Sequence, residues 1–334
     1  MKRLILCMCC LLPLMTGCGN SRRPGHAQTS STDTLQVKLT VRHARGFSLT
    51  YTSYGCLLDL KDPSQDEGTS FHYALIPKGT HPDQIPAGYT VIPIPVSRIV
   101  CMTSLQLSNF IKLEALDAVT GITSTRHLFN EEVRQRITDG RIRQIGIEGN
   151  FDQEVIIRVN PELMLVSPSK RGGYDVLRQI GIPLLPHLGY QETSPLGQTE
   201  WIKVAGLLLG METQADHLFT EIERRYTELA GRTRQITHRP TVFSGELQGG
   251  NWYAVGGQSF LAAIFRDAGA DYFLKDDLHT GGFTMDYETV YSQAANADYW
   301  RIVNSYPGDF TYQVLGQEDV RYSDFRAFRE IGVF

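Results

Sequence analysis

The feature that most constrains the fold is an alternation of short apolar runs with longer segments of helical period, which begins near residue 96. Such alternation indicates an α/β architecture, because neighbouring parallel strands need a crossover connection that is usually a helix. The pattern predicts strands at 98–102, 163–167, 182–185, 241–245 and 299–303, and helices at 105–117, 173–180 and 258–268. It therefore predicts two α/β lobes, 96–198 and 232–334.

Between the two predicted lobes lies one long amphipathic stretch. From Ala215 to Leu229, apolar residues recur at helical spacing, and charged residues occupy the other faces. A helix over 212–230 would be a rod of roughly 28 Å, about the diameter of a small domain. We therefore expect one long helix over 212–230 to join the lobes, with a ligand cleft between them, since ligand sites favour domain interfaces.

The chain opens with the features of an exported protein. Two basic residues precede an apolar run that is too short to span a bilayer, which is typical of a signal peptide over 1–17. The run ends in Leu-Met-Thr-Gly-Cys, which resembles the lipobox of bacterial lipoproteins. The resemblance implies that Cys18 is lipidated. Residues 18–34 are polar and almost free of large apolar side chains, which predicts a lipid-anchored tether.

Residues 35–95 predict a small β-rich extension before the first lobe. Apolar and polar residues alternate over 35–41 and again over 47–51, on either side of a glycine, which is typical of a hairpin. Residues 71–95 are strand-like and rich in proline.

Charge and cysteine content narrow the possible partners. The formal net charge is −4 with acids and bases interspersed, so no basic face favours a nucleic-acid partner. Once the signal peptide is removed and Cys18 is acylated, the remaining thiols are Cys56 and Cys101, so no disulfide framework is expected. Cys101 lies in an apolar run and is predicted to be buried.

Two segments of the chain resemble each other, one in each predicted lobe. Asp152 is followed by Glu154, and Asp286 by Glu288, and each pair leads into an apolar strand. Each predicts a helix that begins at an aspartate cap with a glutamate in its first turn. A single first-turn glutamate offsets the helix dipole, which is worth about 0.3–1 kcal/mol. A matched pair indicates a role beyond that.

These units combine with two further motifs to mark a known class. The motifs are Val-Ser-Arg-Ile-Val at 96–100, and Asn-Trp-Tyr-Ala-Val-Gly-Gly-Gln-Ser-Phe at 251–260 followed by Ala-Gly-Ala-Asp at 268–271. Over about 96–331 the chain resembles the periplasmic solute-binding proteins of siderophore, haem and cobalamin ABC importers. The resemblance implies two Rossmann-like lobes bridged by a single long α-helix, which maps to about 199–231, with little hinge closure.

The resemblance also implies a function and a location. It implies binding of an iron complex, a ferric siderophore or haem, in the interlobe cleft, and delivery to a permease dimer with its ATPase subunits. Glu154 and Glu288 match the positions that meet arginines of the permease in that class. The expected location is the cell envelope, with a lipid anchor in a bacterial membrane facing the periplasm. No resident cofactor or metal is expected.

Candidate ligand-binding residues come from segments that follow predicted strands, where open α/β sheets place ligands. They are Thr103, Gln106, Lys170, Arg171, Tyr174, Trp252 and Tyr253. The two cations would hold carboxylates of a chelate by charge-assisted hydrogen bonds, although an ordinary glycine turn with solvated cations explains them equally well. The flat aromatic faces suit macrocycles and aryl chelates, with a place in the core as the alternative.

Other functions fit the sequence less well. Cobalamin is the alternative ligand, and the two cations favour an anionic chelate over it. A receptor for free zinc or manganese would use histidine and carboxylate ligands. His127, His187 and His279 lie near predicted strand ends, where each is a candidate axial ligand to haem iron, with an ordinary loop residue as the alternative. A scaffold lipoprotein is supported only by the anchor and the extension. The usual catalytic motifs of hydrolases, metalloproteases and phosphate-binding loops are missing.

The second lobe ends sooner than in proteins of the resembled class. Those proteins continue for a few tens of residues past the segment matching 325–330, whereas this sequence stops at Phe334. The comparison predicts a truncated lobe with exposed apolar surface and reduced stability.

Overall fold

The computed structural model describes residues 37–62, 70–123, 128–147, 149–167, 174–302 and 310–334. Its first element is a sheet of four strands, β1 to β4, which are Phe47–Tyr51, Cys56–Lys61, Ser70–Pro77 and Thr90–Ile94. Strand β2 pairs antiparallel with both β1 and β3, and β4 pairs parallel with β3. A β-rich region therefore precedes the first lobe.

The hairpin expected from 35–41 and 47–51 does not form. Residues 37–41 contain no strand, and β1 pairs instead with β2, which places Phe47 opposite Leu60. The chain just before β1 is instead held by the buried carboxylates of Glu192 and Glu200.

The first α/β lobe is built on a parallel sheet. Its strands β5, β6, β7, β10 and β11 are Ile99–Cys101, Val119–Ile122, Arg143–Gln144, Leu163–Val166 and Leu184–Pro186, in the order β11-β10-β5-β6-β7. A two-stranded hairpin, β8 and β9, comprises Gly146–Ile147 and Asn150–Phe151. All five strands of the large sheet pair in parallel. Every residue of β10 is buried, as expected for a strand covered on both faces.

Four helices accompany this sheet. They are α1 to α4, at Ser104–Lys112, Glu131–Thr138, Gln153–Val159 and Tyr174–Gln179. The helix predicted at 105–117 ends early, because Glu114 has a φ of 55°, outside the right-handed helical region.

Three helices, α5 to α7, then connect the lobes. They are Pro195–Glu200, Ile202–Leu209 and Glu212–Thr233. The single helix expected within 199–231 is therefore interrupted, since α6 ends at Gly210 in the left-handed region with a φ of 68°. The part from Glu212 onward is one helix of 22 residues, or roughly 33 Å.

The second lobe has a parallel and an antiparallel sheet. Strand β12, Thr241–Ser244, lies between β15, Asp271–Tyr272, and β17, Tyr299–Arg301, and both pairs are parallel. Strand β14, Asn251–Val255, lies between β13, Glu246–Gln248, and β16, Gly282–Met285, and both pairs are antiparallel. Helices α8 to α11 are Phe260–Asp267, Tyr287–Ala294, Tyr312–Glu318 and Arg326–Arg329.

The predicted fold class is confirmed: two α/β lobes with parallel sheets are bridged by the long helix α7, the last of the three connecting helices, and are preceded by a β-rich extension. None of the helices formed by the described residues combines the length and the apolar content needed to cross a membrane. Cys56 and Cys101 are both buried free thiols, so the expected burial of Cys101 is confirmed.

The apolar cores show how the parts are joined. One core contains Leu58 and Leu75 of the extension together with Ile99 and Phe110 of the first lobe and Leu207 of α6. The extension and the first lobe thus share a single core. The second lobe has its own core, which is rich in aromatic residues.

A buried carboxylate holds the chain that leads into β1. Glu200 is fully buried in α5 and accepts hydrogen bonds from the backbone N–H groups of Arg42, His43 and Ala44, at 2.9, 2.6 and 2.8 Å. Its Oε1 also lies 2.8 Å from Nζ of Lys203, which is fully buried as well. Burial acts to raise the pKa of Glu200, but these hydrogen bonds outweigh burial and lower it.

A second carboxylate continues the same arrangement. Glu192 is buried and accepts hydrogen bonds from the backbone N–H groups of Arg45 and Gly46, at 3.0 and 2.9 Å. The indole N–H of Trp201 donates to the same carboxylate at 3.0 Å. Five successive backbone N–H groups, from residue 42 to residue 46, are thus bound by two carboxylates.

We expect Glu200→Ala to lower the free energy of unfolding by about 3–5 kcal/mol, because the buried Lys203 ammonium would lose its nearest carboxylate and three backbone N–H groups would lose their acceptor. Urea denaturation followed by circular dichroism measures the change. Glu221→Ala is the control, since Glu221 forms an exposed pair with Arg225 on α7 and its loss should cost less than about 1 kcal/mol. Equal losses in the two variants would contradict the importance of the buried carboxylate.

Candidate functional site

A cavity of about 580 Å³ lies where the first part of the chain, which comprises the extension and the first lobe, meets the second lobe. Its lining includes Arg45, Thr193 and Ser194 from the first part and Gln258, Ser259 and Lys275 from the second lobe. Helix α5, which begins just after Ser194, packs against α8, which begins just after Ser259. The cavity has the size of a small-molecule site.

Local structure fixes the second-lobe wall of this cavity. Ser259 caps α8, and its hydroxyl accepts a hydrogen bond from the backbone N–H of Ala262 at 3.2 Å. Just before it, Gly257 packs so tightly that a Cβ atom would lie 2.1 Å from the carbonyl oxygen of Leu274. The backbone N–H of Gly257 donates to Asp277 at 3.3 Å. Only glycine fits here, and it sets the direction in which α8 begins.

The charges of the cavity are positive. Arg45, Arg266 and Lys275 line it, and its described lining residues include no carboxylate. Arg266 Nε lies 3.1 Å from Asp267 Oδ1, and Lys275 Nζ lies 2.8 Å from Asp271 Oδ1. The hydrogen bond to Asp271 raises the pKa of Lys275. Exposed ion pairs of this kind are weak, so both cations can turn to an incoming anion.

Of the residues predicted after the first strand, Gln106 has a structural role. Its side chain is buried, and Oε1 accepts hydrogen bonds from the backbone N–H groups of Met102 and Thr103, at 2.7 and 3.1 Å. Thr103 in turn caps α1 by accepting from the N–H of Gln106. The prediction of Gln106 as a ligand contact is wrong for this structure, because its amide oxygen is used in the capping box. Thr103 is partly exposed.

Tyr174 lies close to Gln106 through a shared neighbour. The Tyr174 hydroxyl donates to the carbonyl oxygen of Ser167 at 2.7 Å, and the Gln106 amide nitrogen lies 3.4 Å from the Ser167 hydroxyl. The structure thus brings Gln106, which follows the first predicted strand, and Tyr174, which follows the second, together at the end of β10. The two predicted cations, Lys170 and Arg171, lie outside the described residues.

The prediction of Trp252 as a pocket residue is wrong. Its side chain has no exposed surface, its indole N–H donates to the carbonyl oxygen of Ser244 at 2.9 Å, and its ring lies 5.5 Å from that of Phe325. The preceding Gly249 and Gly250 have positive φ angles and form the tight turn between β13 and β14. This glycine pair is a hairpin signal rather than a loop at a ligand site, and Trp252 faces the core.

Tyr253 is partly exposed, on the opposite face of β14 from Trp252. Its ring crosses Gly282 of β16, where a Cβ atom would lie 1.9 Å from the tyrosine oxygen. Neither aromatic residue belongs to the lining of the 580 Å³ cavity.

The paired helix starts predicted at Asp152 and Asp286 are confirmed. Asp152 caps α3 by accepting from the N–H of Val155 at 3.0 Å, and Asp286 caps α9 by accepting from the N–H of Thr289 at 2.8 Å. The two glutamates of these first turns, Glu154 and Glu288, are exposed.

The three histidines considered as metal ligands are not brought together. His187 is buried, with Nε2 at 3.2 Å from Asn109 Nδ2 and its ring 4.7 Å from that of Trp201. His279 is exposed beside Asp277, and His127 lies outside the described residues. Within the described ranges, no three His, Cys, Asp or Glu side chains converge on a common point.

Burial lowers the pKa of His187 to about 4. The unfolded chain binds a proton at this histidine below about pH 6.5, whereas the folded protein binds it only below about pH 4. The protein therefore loses stability as the pH is lowered from 6.5 to 4. We expect the stability difference between the native chain and His187→Gln to shrink by about 3 kcal/mol from pH 6.5 to pH 4. Urea denaturation across this range tests it, and a constant difference would show that His187 does not titrate in this way.

The residues of the 580 Å³ cavity were not predicted from the sequence. Ser194 followed by a proline is a helix-start signal, and Ser259 after two glycines is another, but neither indicates a ligand. Arg45 lines the cavity because Glu192, which is distant in sequence, binds its backbone N–H group.

Comparisons with known proteins identify relatives of most of the chain. A family model described as periplasmic binding protein matches residues 99–322. Two uncharacterized lipoproteins of Methanocaldococcus jannaschii are each 24% identical to this chain, over 74% and 72% of its length and 61% and 63% of their own. The chain thus spans less than two thirds of the length of these curated relatives.

Solved structures resemble the fold. A periplasmic binding protein from Veillonella parvula superposes with a TM-score of 0.58 at 15% identity, covering 86% of this chain and 89% of that one. A periplasmic haem-binding protein of Vibrio cholerae gives 0.58 at 13% identity, covering 71% and 88%. A protein of an ABC-type Fe3+-hydroxamate transport system from Saccharomonospora viridis gives 0.55 at 19% identity, covering 72% and 85%. At these identities the likeness is one of fold.

Proposed function

This chain belongs to the periplasmic binding protein family, and from that premise we propose that it binds an iron complex, a ferric siderophore or haem, for an ABC importer. The importer's permease dimer, with its ATPase subunits, receives the ligand. The protein works at the cell envelope, held to the membrane by a lipid on Cys18. The lipoprotein relatives support the anchor, which lies outside the described residues.

The observation that carries the ligand class is the cation-lined cavity between the two parts of the chain. Arg45 approaches from the first part, and Arg266 and Lys275 approach from the second lobe. Arginine and lysine form their strongest hydrogen bonds with anionic oxygens such as the carboxylates of haem or of a siderophore. A near-neutral cobalamin would use these charges less, so it is the alternative ligand. The solved relatives named for haem and for an Fe3+-hydroxamate support the same class.

We expect calorimetric titration of the full chain with haem, ferric siderophores and cobalamin to give saturable binding of one anionic iron complex. Lys275→Gln and Arg45→Gln should each weaken that binding roughly tenfold or more, because each removes a charge-assisted hydrogen bond.

Arg225→Gln is the matched control for this titration, since Arg225 pairs with Glu221 on the exposed surface of α7. Unchanged affinity in both cavity variants would place the ligand elsewhere. Binding of cobalamin alone would overturn the anionic-chelate proposal in favour of the alternative, and binding of none of the ligands would overturn the whole class.

The two exposed first-turn glutamates, Glu154 and Glu288, form the proposed docking sites for the permease. One lies in each lobe, and an aspartate cap fixes the start of each helix. A pair of equivalent carboxylates suits a partner that is itself a dimer with two equivalent basic sites. Charges at the rim of an interface set the register and the association rate more than the affinity.

We expect Glu154→Arg together with Glu288→Arg to weaken binding of the ligand-loaded protein to the reconstituted importer, most strongly at low salt. Ligand affinity should stay the same. Glu131→Arg is the matched control, because Glu131 is also an exposed first-turn glutamate, on α2. Surface plasmon resonance measures docking. Loss of ligand affinity in the double variant, or intact docking, would refute this role.

A further inference from the structure

A second cavity, of about 520 Å³, lies between the four-stranded sheet of the extension and the first lobe. Phe71 and Tyr73 of β3 line it on one side, and Tyr174 and Leu184 line it on the other. Strand β3 lies outside the segment that the family model matches, so one wall of this cavity is built by residues that the family match does not cover.

The walls of this cavity are apolar even where tyrosines form them. The Tyr73 hydroxyl donates to the carbonyl oxygen of Leu184 at 2.6 Å, and the Tyr174 hydroxyl donates to that of Ser167 at 2.7 Å. Both hydroxyl groups are therefore satisfied by backbone atoms. The aromatic rings can then serve as surfaces against which a flat ligand packs.

One charged residue, Arg178, belongs to the described lining. Its Nη1 lies 2.7 Å from Asp175 Oδ1, and both side chains are largely exposed, at 65% and 88%. An exposed pair of this kind contributes little, so a ligand carboxylate can compete for the guanidinium. The cavity thus combines apolar and aromatic walls with a single cation, which is the usual composition of a small-molecule site.

We propose that this cavity is a second ligand site, which binds a small aryl carboxylate. The ring of the ligand packs against Phe71 and Tyr174, and its carboxylate pairs with Arg178. Aromatic packing and a charge-assisted hydrogen bond supply the affinity. The site is separate from the cavity lined by Arg45 and Lys275, with which it shares none of its described lining residues.

Benzoate is the probe, titrated into the full chain and followed by ligand-observed NMR. Benzyl alcohol, which lacks the charge, and cyclohexanecarboxylate, which lacks the aromatic ring, should both bind more weakly than benzoate. Arg178→Gln should weaken benzoate roughly tenfold and leave benzyl alcohol unchanged, because only the carboxylate uses the guanidinium.

Two further variants make the test specific. Thr90→Phe should abolish binding of all three probes, since Thr90 is an exposed residue of the lining and a larger side chain there fills the cavity. Arg224→Gln is the matched control, because Arg224 is as exposed as Arg178 and also pairs with an acid on its own helix. The proposal is overturned if benzoate fails to saturate, if Arg178→Gln binds it normally, or if Lys275→Gln is the variant that weakens it.

Discussion

The burial of Glu192 and Glu200 is the interaction on which the architecture depends. Two carboxylates out of water would be costly without partners, and here they receive five successive backbone N–H groups, the Lys203 ammonium and the Trp201 indole. The contacts tie the chain that enters the extension to the helices between the lobes. The extension consequently shares its core with the first lobe instead of forming a separate appendage.

This tie also positions the proposed binding sites. The backbone of Arg45 is held by Glu192, and its side chain lines the cavity that faces the second lobe. The same sheet that the tie holds in place contributes Phe71 to the second cavity. Residues outside the family match therefore contribute to the lining of both cavities. The paired glutamates lie within the matched segment, on α3 and α9.

Patterns that act locally were predicted well from the sequence. The helix expected at 212–230 is present because its amphipathic period continues for 22 residues, and β10 is present because its apolar run is buried on both faces. The paired aspartate caps were likewise predictable from residue order. Trp252 was misplaced because two glycines were interpreted as a loop, whereas both adopt positive φ in a hairpin turn. The cavity with Arg45 required contacts between residues distant in sequence, which no local pattern encodes.

The tie between residues 42–46 and the interlobe helices has a consequence for how the chain acquires its structure. The hydrogen bond between Arg42 and Glu200 joins positions 158 residues apart. Closing so long a loop is slow, and the core that the β-rich extension shares with the first lobe cannot form until the segment around Glu200 and Lys203 has been synthesised. During that interval the apolar residues of the first sheet, such as Leu58 and Leu75, stay uncovered, which makes a partly synthesised chain prone to aggregation.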